Sequence, residues 1–460
     1  MENKGLSKLK LQYNEALPIG GEADVVVVGS GPAGIAASIA ASRHGAKVIL
    51  IERYSFLGGM STLIPISTWP LNTAVETGEL DMPYDGILNE ILKSLQSRNA
   101  IELHTTLMDG VESLSPENEE KLDSTKWYLF DPQELKYLYF EMIRNAKVKL
   151  KINTLLVDSI IKDNKVEAIV VETLTRRELI KGRIFIDCTG SADLVYRSGG
   201  EAILGSGEND GIAPGLIMPT STTFRIAGVD TENLDMYKVA QVYEEHRKKG
   251  EIKVPLEGLY WQIVCKGVVQ IFGTRVFNIN PLDPQKAARG EMKQRHQIRD
   301  IANFLQKEIP EFHNCKIIDT GMSIGMIGTR RIRGEYFITQ DDILNAKKFE
   351  DAIATGTYRL EIWEPNGENA RFQHLIGTWY TIPYRSLLPK DLKNVIVAGS
   401  CISGQYVAMA TWAIMPVCYK TGQAAGTAAS ICVKQAINLR SISISQLQAT
   451  LKEDGMFLGE

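Results

Sequence analysis

Gly29-Ser30-Gly31-Pro32-Ala33-Gly34 is a GxGxxG segment, and Glu52 follows at the end of the next apolar run. Glycines at this spacing serve the binding of a pyrophosphate. Gly29 permits a tight turn, Gly31 lets the backbone approach the phosphates, and Gly34 lets the following helix lie against a sheet. An acidic residue at position 52 accepts hydrogen bonds from ribose hydroxyls and repels a 2′-phosphate, which leaves NAD or FAD as the dinucleotide. Farther on stand groups suited to chemistry on a second molecule. Arg330 and Arg331 lie in Thr329-Arg330-Arg331-Ile332-Arg333-Gly334, where alternation with apolar residues turns some side chains inward. They are expected to bind an anionic substrate group or the cofactor. His374, among aromatic residues and near Arg385, is expected to carry protons near neutral pH, with a hydrogen-bonded core histidine as the alternative. Tyr380, Tyr384 and Arg385 form part of the same group.

Elements that position these residues are readable around them. Val25–Val28 is a continuous apolar run, as in a central parallel strand covered on both faces. Pro32 suits a first helical turn, and residues 32–44 are nearly all Ala, Ile and Ser. The N-terminus of that helix presents free N–H groups and a partial positive charge to a diphosphate. Lys47–Ile51 reads as the second strand. Asp131-Pro132 opens a helix to about Asn145, and residues 110–125 read as an exposed loop. Strands are expected at 147–152, 154–161, 165–172 and 178–187, with Asp163-Asn164-Lys165 turning a hairpin. The last delivers Cys188-Thr189-Gly190 to the ligand edge of the sheet. Cys188 reads as core, and Asp193 either as a helix cap or as a site residue.

Beyond the Gly/Pro-rich residues 205–219 the pattern changes. Strand-like runs at 221–228, 258–265, 267–279, 315–320 and 335–339 mix with helices at 284–308 and 341–352. The domains expected are therefore an N-terminal arm (1–23), a discontinuous dinucleotide-binding domain (24–212 and 380–460) and an inserted α+β substrate domain (213–379). Asn394–Ala398 is a further buried strand. Pro416 starts a long helix whose small residues, Gly422 to Ala429, suit close approach to the first helix. Its N-terminus at Met415-Pro416 points toward the ligand.

The 460 residues are 44% hydrophobic and 23% charged, with net charge −4. This is the balance of a globular chain, and no basic block suggests nucleic acid. The six cysteines form no CxxC pair. That argues against a metal site or a redox disulfide and for a reducing, cytoplasmic setting. Asn394–Tyr419 is uncharged but rich in Gly, Ser and Pro, so it reads as buried core around a ligand and no membrane insertion is expected.

Gly58-Gly59 after Glu52 resembles the second motif of glutathione-reductase-like flavoproteins. GSGPAGIAAS, ILIER, LGG, FIDCTGSADL, TRRIRGEYFIT, IPYRSLLPKDLKNVIVAGSCIS and MPVCYKTGQAAGTAAS together resemble the FAD-dependent oxidoreductase family. Within it, they resemble the bacterial branch related to the heterodisulfide reductase flavin subunit. The resemblance implies an α/β, Rossmann-like FAD-binding domain. It implies FAD contacts at Gly29, Ser30, Gly31, Pro32, Ala33 and Gly34, and at Glu52 and Arg53. Further contacts are implied at Gly58, Gly59 and Met60, at Val157, at Thr189 and Gly190, and at Gly399, Ser400, Met415 and Pro416. Iron–sulfur cysteine motifs are absent. Expected function is hydride transfer between a small-molecule substrate and flavin N5, with Arg330, Arg331 and His374 on the substrate side. No second GxGxxG followed by an acid marks an NAD(P)H domain, so the redox partner is a quinone, a carrier protein, oxygen or transient NAD(P)H. A flavin monooxygenase and an electron-transfer subunit of a larger complex are the alternatives.

Overall fold

Val25–Val28 are almost wholly buried, as their apolar run requires. The computed structural model describes residues 16–64, 67–70, 85–104, 127–208, 210, 212–254, 259–326, 328–363, 370–373 and 375–459. The strand β1 starts before the apolar run, at Ile19, and spans Ile19–Val28; α1 (Pro32–Arg43) and β2 (Val48–Ile51) complete the first βαβ unit. Next come β3 (Lys149–Lys151), β4 (Leu155–Lys162), β5 (Lys165–Glu172) and β6 (Arg177–Asp187). Asp163 and Asn164 both have positive φ (51° and 61°), the conformation of a tight hairpin turn. The insertion follows with β7 (Phe224–Ala227), β8 (Tyr260–Cys265), β9 (Val268–Phe272), α2 (Pro284–Glu308) and β10 (Lys316–Thr320). The chain returns through β11 (Val395–Val397) and α3 (Met415–Gln435).

Five strands of the main sheet are parallel, in the order β3-β2-β1-β6-β11. The first half of β6 pairs antiparallel with β5, and β5 with β4. The fold is thus a mixed α/β, Rossmann-type arrangement. Its strands β1, β2, β6 and β11 end beside one another at Gly29, Glu52, Cys188 and Ala398, the edge where such sheets take ligands. Helices α1 and α3 pack together through small residues. A Cβ on Gly422 would lie 2.1 Å from the Ala33 carbonyl oxygen, and one on Gly426 2.2 Å from that of Ala37.

The inserted antiparallel sheet, in the order β8-β9-β7-β10, has its own core, from Phe224 to Cys315, against α2. Ile332, Ile338, Ile353 and Leu360 instead join the core of the main sheet. Three expected elements differ. The run at 267–279 stops being a strand at Phe272; beyond it the Thr274 hydroxyl, and not its main chain, bonds to the Thr222 N–H and carbonyl. At 335–339 there is no strand; residues 330–332 form it, paired with 202–204. The helix expected over 341–352 spans only Gln340–Leu344. A Thr339–Asp342 capping box starts it and Ala346, at φ 47°, ends it, after which Ala352–Gly356 is a strand. The expected loop at 110–125 lies outside the described residues. Among the described residues, no helix is long and apolar enough to cross a membrane.

Candidate functional site

The strand ends open onto a cleft of about 510 Å³. Gly29 lines it and makes the turn out of β1 at φ 94°, where a Cβ would strike the Cys188 carbonyl oxygen at 2.7 Å. Ser30, Gly31, Pro32 and Ala33 follow along the wall. Gly34 does not line the cleft; a Cβ there would sit 1.8 Å from the Gly29 oxygen, so glycine is what lets the helix begin where it does. Gly31 has open space where a Cβ would be, so any other side chain would project toward the cleft.

Helix α1 starts with Gly31 as N-cap and α3 with Ile414, and neither receives a side-chain cap. The Asp283 carboxylate, by contrast, caps α2 by accepting from Gln285 and Lys286 N–H. Two helix ends with unspent N–H groups at one cleft suit a diphosphate and an anionic ring edge. The Glu52 carboxylate accepts from Ser30 N (2.9 Å), Ser30 Oγ (2.6 Å) and Tyr54 N (2.9 Å), which fixes it in the cleft with lone pairs left for ribose hydroxyls. Arg53 lines the same end.

Gly59 and Met60 line the cleft, and Gly59 packs on Gly31, where an added Cβ would meet the Gly31 Cα at 2.9 Å. Gly58 stands behind them, its N–H given to the Ser30 carbonyl. Thr189 and Gly190 line the opposite side. Thr189 donates from N and Oγ1 to the buried Asp187 carboxylate and accepts from Asp193 N, which shapes the turn. Gly399, Ser400 and Met415 close the far wall, with Ser400 Oγ donating to the Gly190 carbonyl at 3.2 Å. Pro416 is buried behind Met415. Val157 stands in a β-bulge: Leu156 pairs with Val171 and Asp158 with Val170, while its neighbours Leu155 and Leu156 line the cleft. Cys188 also lines it, and burial pushes its thiol well above the usual range, as befits core.

The substrate-side expectations fare differently. Arg330 is not in the cleft wall. Its Nε donates to the Ser191 carbonyl, its Nη2 pairs with Asp193, and it lies 4.1 Å from the Tyr196 ring centroid. Arg331 is fully buried, with Nε donating to the Gly404 carbonyl and Nη2 to the Gly205 carbonyl. Burial pushes its pKa down to about 10, partly offset by Asp210 and Tyr406, so it is still a cation at neutral pH. It ties two loops together and is not among the residues that line the cleft. Arg385 forms a two-point pair with Asp351, and Tyr380 and Tyr384 are buried. His374 lies outside the described residues.

The other half of the cleft comes from places the sequence did not single out. Ser221, Thr222 and Thr223 lead into β7, and Phe272, Thr274 and Arg275 follow from β9. Met218 and Met326 add thioethers, and Tyr358, Arg359 and Glu361 also line the cleft. Arg275 carried a signal: a lone arginine inside the apolar run 268–279. Among the described residues, no group of three or more His, Cys, Asp or Glu side chains is placed to hold a metal.

A Rossmann-type sheet whose strand ends, glycine turns and uncapped helices meet at one cleft defines a dinucleotide-binding flavoprotein-like protein. The model of the FAD dependent oxidoreductase family matches residues 24–451, and the chain belongs to that family. It is an oxidoreductase that binds FAD. Similar solved structures include a geranylgeranyl bacteriochlorophyll reductase-like protein from Thermoplasma acidophilum, with 10% identity, TM-score 0.49, and coverage of 95% of this chain and 85% of that one. The flavin-dependent brominase Bmp2 shows 12% identity, TM-score 0.46, and 94% and 83% coverage. The p-nitrophenol 4-monooxygenase PnpA from Pseudomonas putida DLL-E4 shows 12% identity, TM-score 0.42, and 94% and 81% coverage. Likenesses this distant carry no inference about substrate.

Proposed function

We propose that this protein oxidises or reduces a small organic molecule by hydride exchange with FAD held in the cleft. The observation that carries the reading is that one cleft joins a nucleotide half, built on Gly29–Ala33 and Glu52, to a second half lined by the inserted sheet. FAD, when bound, supplies the two-electron chemistry. The protein's own residues bind and orient. The Gly31 and Ala33 N–H groups would face the diphosphate and Glu52 the adenosine ribose, and the start of α3 would favour negative charge at the ring. Met218, Met326, Phe272 and Ile414 line the second half and keep water from the substrate. Placement in the branch related to the heterodisulfide reductase flavin subunit is supported by the sequence motifs. A cytoplasmic setting is supported by the six free cysteines.

The test is a visible spectrum of the purified protein before and after acid precipitation. Flavin bands near roughly 370 and 450 nm that pass into the supernatant are expected. Anaerobic addition of a substrate should bleach the longer-wavelength band. A colourless protein that cannot be reconstituted with FAD overturns the reading. Hydroxylation that consumes oxygen and NAD(P)H would make the enzyme a monooxygenase instead.

A further inference from the structure

Thr329 stands in the cleft wall and is only 2% exposed, yet among the described residues its hydroxyl has no hydrogen-bond partner. The hydroxyls of Thr189, Thr223, Thr274 and Ser400, which line the same cleft, are each bonded within the protein. An unbonded hydroxyl that loses its water when a ligand fills a cleft costs free energy unless the ligand supplies the partner. The backbone that carries Thr329 is held from two sides. Its carbonyl accepts from Gly205 N at 3.0 Å, and the Gly205 carbonyl in turn accepts from Arg331 Nη2 at 3.0 Å. The next residue, Arg330, pairs with Leu204 across a two-stranded sheet, and its Nε donates to the Ser191 carbonyl at 2.9 Å.

Apolar side chains are fixed beside it. Gly328 has φ 68°, and a Cβ there would meet Met409 Cε at 2.6 Å and Met218 Cγ and Sδ at 3.2 and 3.3 Å. Met218 lines the cleft. Met409 is buried in the helix Tyr406–Trp412; the next residue, Ala410, lines the cleft, and so does Ala413 on the same face. The arginines of the Thr329 segment are committed elsewhere. Arg330 pairs with Asp193, Arg333 with Glu201 at 3.3 Å, and Arg331 is fully buried against the Gly205 and Gly404 carbonyls. A hydroxyl in such a setting suits an uncharged oxygen, because it donates to a carbonyl and either donates to or accepts from another hydroxyl. An anion placed among thioethers and alanines would instead lose its water at a large cost. Thioethers adapt to apolar bodies of varied shape.

We propose that the Thr329 hydroxyl binds an uncharged oxygen, a hydroxyl or a carbonyl, of a substrate whose remaining body is apolar. This rests on the reading of the cleft as a flavin-and-substrate site.

The test is a titration of the purified holoenzyme with benzyl alcohol, toluene and benzoate, followed by perturbation of the visible flavin bands, with FAD affinity measured alongside by flavin fluorescence. Thr329→Val keeps the shape of the side chain and removes the hydroxyl. It should lower the affinity for benzyl alcohol relative to toluene by about fivefold while FAD affinity stays unchanged. Thr329→Ser keeps the hydroxyl and should keep the wild-type ratio, which a merely structural role for the threonine would not predict. Thr329→Ala serves the same purpose if the valine variant does not fold. Benzoate should bind more weakly than benzyl alcohol. No binding of benzyl alcohol, tighter binding of benzoate, a ratio unchanged by removal of the hydroxyl, or a ratio lost equally in the serine variant overturns the proposal while leaving the FAD reading intact. Loss of FAD affinity with an unchanged ratio also overturns it, because the hydroxyl would then serve the cofactor. Absence of flavin from the wild-type protein overturns both readings.

Discussion

Glu52 has two duties. Its carboxylate satisfies three donors of the neighbouring turns, and it lines the cleft proposed to hold FAD. Ser30 is fully buried, so removing the acceptor strands its N–H and hydroxyl away from water. Glu52→Ala should therefore lower stability by about 3 kcal/mol and weaken FAD binding by roughly ten- to a hundredfold. Urea denaturation of the apoprotein and flavin-fluorescence titration read the two effects separately. A loss of stability without a loss of FAD affinity would leave Glu52 as a turn support only. The place of Glu52 at the cleft was readable because it ends the apolar run of β2 within the first βαβ unit. The arginines were not so readable. Alternation at 329–334 shows that side chains turn inward but not what lies there: Arg331 meets the carbonyls of Gly205 and Gly404, and Arg330 meets Asp193. Arg275 owes its place to Gln297 and Thr220, contacts that no local pattern reveals.

At the scale of elements, the position of α3 decides where its uncapped N-terminus points. That position depends on Gly422 and Gly426, which let α3 lie on the backbone of α1. An alanine at either site would place a Cβ about 2 Å from a main-chain oxygen of the partner helix, which cannot rotate away. Each substitution should cost about 1–3 kcal/mol by forcing the helices apart. Gly422 faces Ala33, which lines the cleft, whereas Gly426 faces Ala37 one turn deeper in the core. Gly422→Ala should therefore also weaken FAD binding, and Gly426→Ala should act chiefly on stability. Thermal unfolding with and without FAD measures both; identical changes in FAD affinity would refute the distinction. This packing was legible as small residues at helical spacing, and so were the capped helices Pro132–Asn145 and α2. The end of β9 was not, because it comes where the Thr274 hydroxyl replaces the main chain in bonding to Thr222, a residue about fifty positions away in the sequence.

At the scale of the molecule, the cleft lies between two cores, and a polar seam joins them. Leu63, Ile64 and Ser67, shortly after Gly58-Gly59, bind the inserted sheet. Ser67 Oγ donates to Gln270 Oε1 and accepts from Gln262 Nε2, Thr223 Oγ1 donates to the Ile64 carbonyl, and Met322 N donates to the Leu63 carbonyl. The segment that follows Gly58-Gly59 is thus also the seat of the inserted sheet. A ligand that orders one side should order the other. FAD at about one hundred times its dissociation constant adds roughly 2.7 kcal/mol to the stability of the folded state. Hydrogen exchange should show where that gain falls. Amides at Gly29–Gly34 are expected to slow on FAD binding, and so are those at Ser221–Thr223 and Phe272–Arg275, although the latter are anchored in a separate core. Gln270→Ala removes the seam's central side chain without touching the nucleotide half, so it should preserve the first protection and diminish the second. Protection confined to the first core in the wild-type protein would mean that the inserted sheet senses FAD only through the substrate.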